Sequence, residues 1–126
     1  MNPAVTAKAI EISYALYHQV SWHRSTHFAF LLKDRRIAFV GWNKEKSHTA
    51  IKRHPYGPTS GLHAEMDAIL RSKSDDLSQF DLLVLRIDRN MKLNQSKPCV
   101  GCQSLIEQVG VRNVYWSDQD GALCKA

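Results

Sequence analysis

The chain has 126 residues, 44% hydrophobic and 23% charged, with a formal net charge of +5. That length fits a single domain over residues 1–126, with a core large enough to fold without a disulfide staple. Collagenous, disordered and membrane-spanning classes are excluded, because apolar runs such as residues 28–32 and 82–85 fall far short of the roughly 20 residues a span needs. The N-terminal stretch lacks a basic head followed by an apolar block and is not read as a secretory signal. Residues 1–63 carry nine Lys/Arg against three Asp/Glu, and all six histidines lie there. Such a basic half either attracts phosphates or is a solvated face. Three cysteines, two of them spaced Cys99-x-x-Cys102, point to a reducing, cytoplasmic setting and to a metal or redox role rather than a disulfide framework.

The first predicted element is a helix. Asn2 can cap it and Pro3 suits its first position. Val5, Ala9, Ile12, Leu16 and Val20 then recur at helical spacing and predict its core face. Residues 26–32 and 37–42 read as strands joined by the polar turn 33–36, an antiparallel hairpin. A long loop, 43–62, follows, broken by Pro55, Gly57, Pro58 and Gly61. A helix over 63–72, a buried strand over 82–87, a loop over 91–97 and a helix over 100–109 closed by Gly110 come next. A strand over 111–117, a turn at 118–121 and a short last strand complete the order. Helix-linked strands predict an α/β fold, helices packed on the faces of one sheet.

The chemistry concentrates in His63-Ala64-Glu65 and Pro98-Cys99-Val100-Gly101-Cys102. Each motif alone is modest: a His-x-Glu is common, and a Cys-x-x-Cys suits a redox pair or half a zinc finger. Together, at the starts of two helices flanking one strand, they supply three soft ligands for a catalytic Zn2+ with a fourth position open. Helix N-termini favour thiolates, so both cysteines are expected to have lowered pKa values. Glu65, two residues from His63, does not share its side of the helix and is better placed beside the metal, where a carboxylate shuttles protons.

The joint pattern, with Val40-Gly41-Trp42-Asn43 and the segment Gly110-Val111-Arg112-Asn113-Val114-Tyr115-Trp116, resembles the zinc-dependent cytidine and deoxycytidylate deaminase superfamily. The resemblance covers residues 4–117. It implies a three-layer α/β/α sandwich with a mixed sheet of four to five strands. It also implies one catalytic zinc per chain on His63, Cys99 and Cys102, and Glu65 as catalytic proton carrier. The Ala64 N–H would meet the base carbonyl, the Lys97 C=O would lie near the leaving amino group, and Asn43 would bind the sugar. Relatives usually close their sites through oligomers, so a homo-oligomer is implied. They also commonly continue past the last strand read here, which leaves substrate and assembly open.

Substrate class is less sharply written. A free pyrimidine nucleotide or nucleoside such as dCMP fits a basic loop cluster of Lys44, Lys46, His48, Lys52, Arg53 and His54, which could meet a phosphate, with Tyr56 able to cover a base. Single-stranded DNA, RNA or tRNA is the alternative, with Trp22 and Trp42 as stacking platforms. A non-catalytic zinc subunit is the third reading, and would gain if Cys124 were a fourth ligand. A second zinc on His48 and His54 would lack a cysteine. His18, His23 and His27 read as surface or packing residues.

Overall fold

The computed structural model describes residues 1–20, 25–44 and 62–126. Nine elements follow in order: α1 (Pro3–Val20), β1 (Thr26–Lys33), β2 (Arg36–Trp42), α2 (Ala64–Ser72), β3 (Asp81–Ile87), β4 (Leu93–Asn94), α3 (Val100–Gln108), β5 (Asn113–Ser117) and β6 (Leu123–Lys125). The strands form one mixed sheet in the order β2-β1-β3-β5-β6, with the two-residue β4 paired to β3. Only β3 and β5 run parallel, joined through α3. The sheet thus has six strands, one more than expected. The addition is β4, which lies inside the segment read as a loop because two residues carry no alternation to detect.

Alternation in the two central strands divides the core. Phe28, Phe30 and Leu32 of β1 join Leu83, Leu85 and Ile87 of β3 on the α1 face. Ala29, Leu31, Leu82 and Val84 point the other way, against Ala64, Ala68 and Ile69 of α2 and Ile106 of α3. The result is the three-layer arrangement.

α1 starts as predicted, with Asn2 Oδ1 accepting from the N–H of Ala4 at 2.9 Å and of Val5 at 3.3 Å. Its most buried line is not the predicted one. Ala9, Ser13 and Tyr17 are buried, while Val5, Ile12, Leu16 and Val20 flank them half-buried. Ser13 was missed because a hydroxyl counts as polar. Its Oγ donates to the Ala9 carbonyl at 2.8 Å, so it enters the core with its hydrogen bond satisfied.

The β1–β2 turn places Asp34 and Arg35 at φ 52° and 63°. Positive φ at both central residues is what a two-residue hairpin turn asks of the chain, here without glycine. Gly110, at φ 77°, follows α3 as the predicted C-terminal stop.

At Gly41 of β2 the sheet meets α2 backbone to backbone. A Cβ there would lie 2.4 Å from the Ala68 nitrogen and 2.6 Å from the Ala64 oxygen. Those are main-chain atoms, and a helix cannot yield locally. Gly41→Ala is therefore expected to lower unfolding free energy by about 1–3 kcal/mol or more, as overpacking does, read as a fall in denaturant midpoint against wild type.

Candidate metal centre

The centre is built where the starts of α2 and α3 converge. His63 is the N-cap of α2, with extended backbone (φ −72°, ψ 152°), and makes no side-chain cap. Its imidazole is thereby directed to other work. Cys99 is the N-cap of α3, and its Sγ accepts from the Cys102 N–H at 3.4 Å. His63 Nδ1 lies 3.1 Å from Cys102 Sγ and 3.7 Å from Cys99 Sγ. The three ligand atoms all fall within 4.8 Å of one another, and this is the one such group among the described residues.

These separations can be tested against a metal. Zn–S near 2.3 Å and Zn–N near 2.0–2.1 Å in a tetrahedron put ligand atoms roughly 3.5 Å apart. The observed spacings bracket that value, and two thiols with one imidazole are a donor set zinc favours. The residues fit a three-ligand site with an open position.

The approach to Cys99 is fixed from below. Buried Ser96 donates from Oγ to the Val84 carbonyl at 2.7 Å and accepts from the Ser117 N–H at 2.9 Å. Its own N–H reaches the Ser117 carbonyl at 2.9 Å. Gln103 Nε2 then donates to the Pro98 carbonyl at 2.8 Å. Neither serine was singled out from sequence, since isolated serines give no signal.

α2 is fixed by a second network, also missed. Asp67, 6% exposed, accepts through Oδ2 from the Trp42 N–H at 3.1 Å, from Arg71 Nε at 3.2 Å and from Lys44 Nζ. Lys44 and Arg71 also lie over the Trp42 ring, 4.3 and 4.7 Å from its centroid. Only the i,i+4 spacing of Asp67 and Arg71 was visible in the sequence. Lys44, expected to meet a phosphate, instead spends its charge on Asp67. Trp42, a candidate stacking platform, is the ring these cations pack upon.

Glu65 is buried beside Cys102 and hydrogen-bonded to it. Burial pushes its carboxyl pKa up, opposed by hydrogen bonds from its own backbone and from Cys102. The expectation of two low-pKa thiols needs correcting at Cys102. Burial pushes that thiol up, reinforced by the charges of Glu65 and Cys99. A helix N-terminus is a partial charge and does not outweigh full desolvation beside a carboxylate.

Ala64 is buried at the first turn of α2, and Lys97 carries its ammonium 5.6 Å from the Trp116 ring centroid. Asn43 Oδ1 accepts from the His27 N–H at 2.7 Å, tying the end of β2 to the start of β1. His27 is half-buried, and its pKa is lowered to about 4 by burial, Arg86 and His63. The imidazole is therefore neutral at pH 7 and within electrostatic reach of the centre, which no spacing rule indicated. Cys124 is half-buried on β6, opposite Trp116, and does not join the metal group. Trp22, His23, Lys46, His48, Lys52, Arg53, His54 and Tyr56 lie outside the described residues.

The family described as the cytidine and deoxycytidylate deaminase zinc-binding region matches residues 6–118. A search of curated proteins found no significant match. Among solved structures, the chain is similar to the apo dCMP deaminase of cyanophage S-TIM5, at 26% identity and TM-score 0.60, covering 94% of this chain and 86% of that one. The same phage enzyme in complex with dCMP and dUMP gives TM-score 0.63 at 23% identity, over 94% and 84% of the two chains. A cytidine deaminase from Burkholderia pseudomallei shares the fold at TM-score 0.63 and 16% identity, over 100% of this chain and 92% of that one.

Metal analysis of the purified protein is expected to give one zinc per chain. His63→Ala and Cys102→Ser should each lose most of it, and Cys124→Ser should retain it. Because the Cys102 thiol is protonated before metal binds, zinc uptake near pH 7 should release protons. Titration calorimetry in buffers of different ionisation enthalpy measures that release.

Proposed function

Because the chain belongs to the cytidine and deoxycytidylate deaminase family, we propose that it hydrolyses the amino group from cytosine in a free pyrimidine nucleotide or nucleoside, dCMP foremost. The observation that carries this reading is the His63, Cys99 and Cys102 donor set with buried Glu65 against it. The phage dCMP deaminase, the similar structure with the higher identity, supports the choice of monomer.

Held by His63, Cys99 and Cys102, zinc would supply a nucleophile from water at neutral pH. The protein does the rest. Glu65 accepts a proton as the C4–O bond forms and delivers it to the ring nitrogen N3. It then carries a second proton to the exocyclic nitrogen, the C4–N bond breaks, and ammonia leaves a uracil ring. Burial raises its pKa above the ordinary carboxylate value, the direction that suits a group that must give protons as well as take them. The Ala64 N–H, at a helix start where amides have no acceptor within the helix, is placed to donate to the base carbonyl O2. The Lys97 carbonyl accepts from the departing amino group. Since Asn43 Oδ1 accepts from the His27 N–H, in this reading it is the amide nitrogen that donates to the sugar.

The test is a substrate panel of cytidine, deoxycytidine, CMP, dCMP and short single-stranded DNA and RNA, read by mass spectrometry. Wild type should convert dCMP to dUMP. Glu65→Ala should keep its zinc and lose turnover by about 10²–10⁴-fold, the scale of a lost acid–base catalyst. Conversion confined to oligonucleotides, or undiminished in Glu65→Ala, would overturn the proposal.

A further inference from the structure

The basic loop cluster read from sequence as a phosphate receptor lies mostly outside the described residues, and its described member Lys44 is committed to Asp67. Another cation has the required placement. In β3, Leu82 and Val84 face α2 and α3, and strand alternation puts Arg86 on that same face, at the C-terminal end of the strand. Its cross-strand partner in β1 is His27. There Ala29 and Leu31 define the same face, so His27 and Arg86 stand side by side on it, with His27 in electrostatic reach of His63 at the start of α2.

The guanidinium is also held. Arg86 Nε donates to Ser25 Oγ at 2.5 Å and Nη1 to the Gln95 carbonyl at 3.4 Å. Ser25 leads into β1, and Gln95 begins the segment that runs to Pro98 and Cys99. The cation therefore spans the rim between the strand tied to Asn43 and the segment entering the metal centre. Among the described residues it forms no salt bridge. The Asp88 carboxylate, which feels its charge, is occupied by the N–H groups of Asn90 and Lys92 and by Asn94 Nδ2. An arginine held in place with no carboxylate partner among the described residues presents a fork suited to phosphate oxygens.

We propose that Arg86, with His27 beside it, receives the 5′-phosphate of the substrate and makes the protein select nucleoside monophosphates over nucleosides. This rests on the deaminase reading above and adds a residue and a selectivity to it.

The experiment uses the zinc-loaded Glu65→Ala protein, so that ligand is bound without turnover, titrated calorimetrically with dCMP and with deoxycytidine. Arg86→Gln in that background is expected to weaken dCMP by roughly 10–100-fold, the equivalent of one charge-assisted contact. Deoxycytidine binding should change by less than about twofold. In wild type, Arg86→Gln should raise KM for dCMP with kcat nearly unchanged, because phosphate binding is felt equally in ground and transition states. Arg86→Lys, which keeps the charge and loses the fork, should fall between. The Arg86 Nε–H resonance should shift on adding dCMP and not deoxycytidine.

If Arg86 were only a strap between Ser25 and Gln95, Arg86→Gln would weaken both ligands equally and lower the thermal midpoint. That result, or unchanged dCMP binding, overturns the phosphate assignment and leaves the deaminase reading standing. Wild-type protein that converts no monomer overturns both.

Discussion

α2 lies directly on β2, and most of the centre's geometry descends from that contact. With no side chain at Gly41, the helix backbone approaches the strand until Ala64 and Ala68 touch it. The start of α2 is thereby seated against the strand by main-chain contact, and His63, Ala64 and Glu65 occupy that start. One carboxylate keeps the contact from sliding. Asp67 holds the strand through the Trp42 N–H and gathers the cations of Arg71 and Lys44. A buried carboxylate with fewer partners would be costly. Here each partner comes from a piece that must stay in register, namely the helix, the strand end and the residue beyond it.

The second helix is positioned differently. α3 opens on Cys99 as its N-cap. It is aimed by the segment before it, through Ser96 and Ser117 locked between β3 and β5. Two independent devices thus bring two N-caps together over the end of the sheet. The electrostatics there are discordant without a cation, since burial penalises the charged form of both Glu65 and Cys102, and the Glu65 charge pushes the Cys102 thiol up further. A divalent ion among the three ligands reverses that balance. The fold stores the Cys102 thiol protonated without metal, and a bound ion would draw it to the thiolate.

Much of this was legible in the sequence, and the parts that were not share a cause. Helices and long strands showed because their periods run over many residues. The His-x-Glu and Cys-x-x-Cys motifs showed because ligand chemistry restricts residue type, and spacing restricts geometry. β4 did not show, being too short for any period. Ser13 broke an apolar stripe while still entering the core through its own backbone bond. Lys44 looked like part of a basic cluster, because sequence shows charge without showing which charges are already matched. Cys102 looked like a low-pKa thiol because its place at a helix start was visible and its burial was not. Ser96, Asp67 and Arg86 each rely on at least one partner 21 or more residues away, a relation no local window contains.

The short bridge between Lys44 and Leu62 has one more implication. Their N–H and C=O groups exchange bonds of 2.9 and 2.7 Å, immediately before His63 and just after Asn43. The bridge ties together the two described residues on either side of positions 45–61. Loop-closure entropy grows only logarithmically with length, about 0.6 kcal/mol per doubling. The chain between the two anchors can therefore be rewritten or lengthened at small thermodynamic cost without moving the ligands beside it. The centre and that stretch of sequence are separable in inheritance: the ligands are held by the sheet and its two helices, and the positions between the anchors can diverge while the anchors stay bridged.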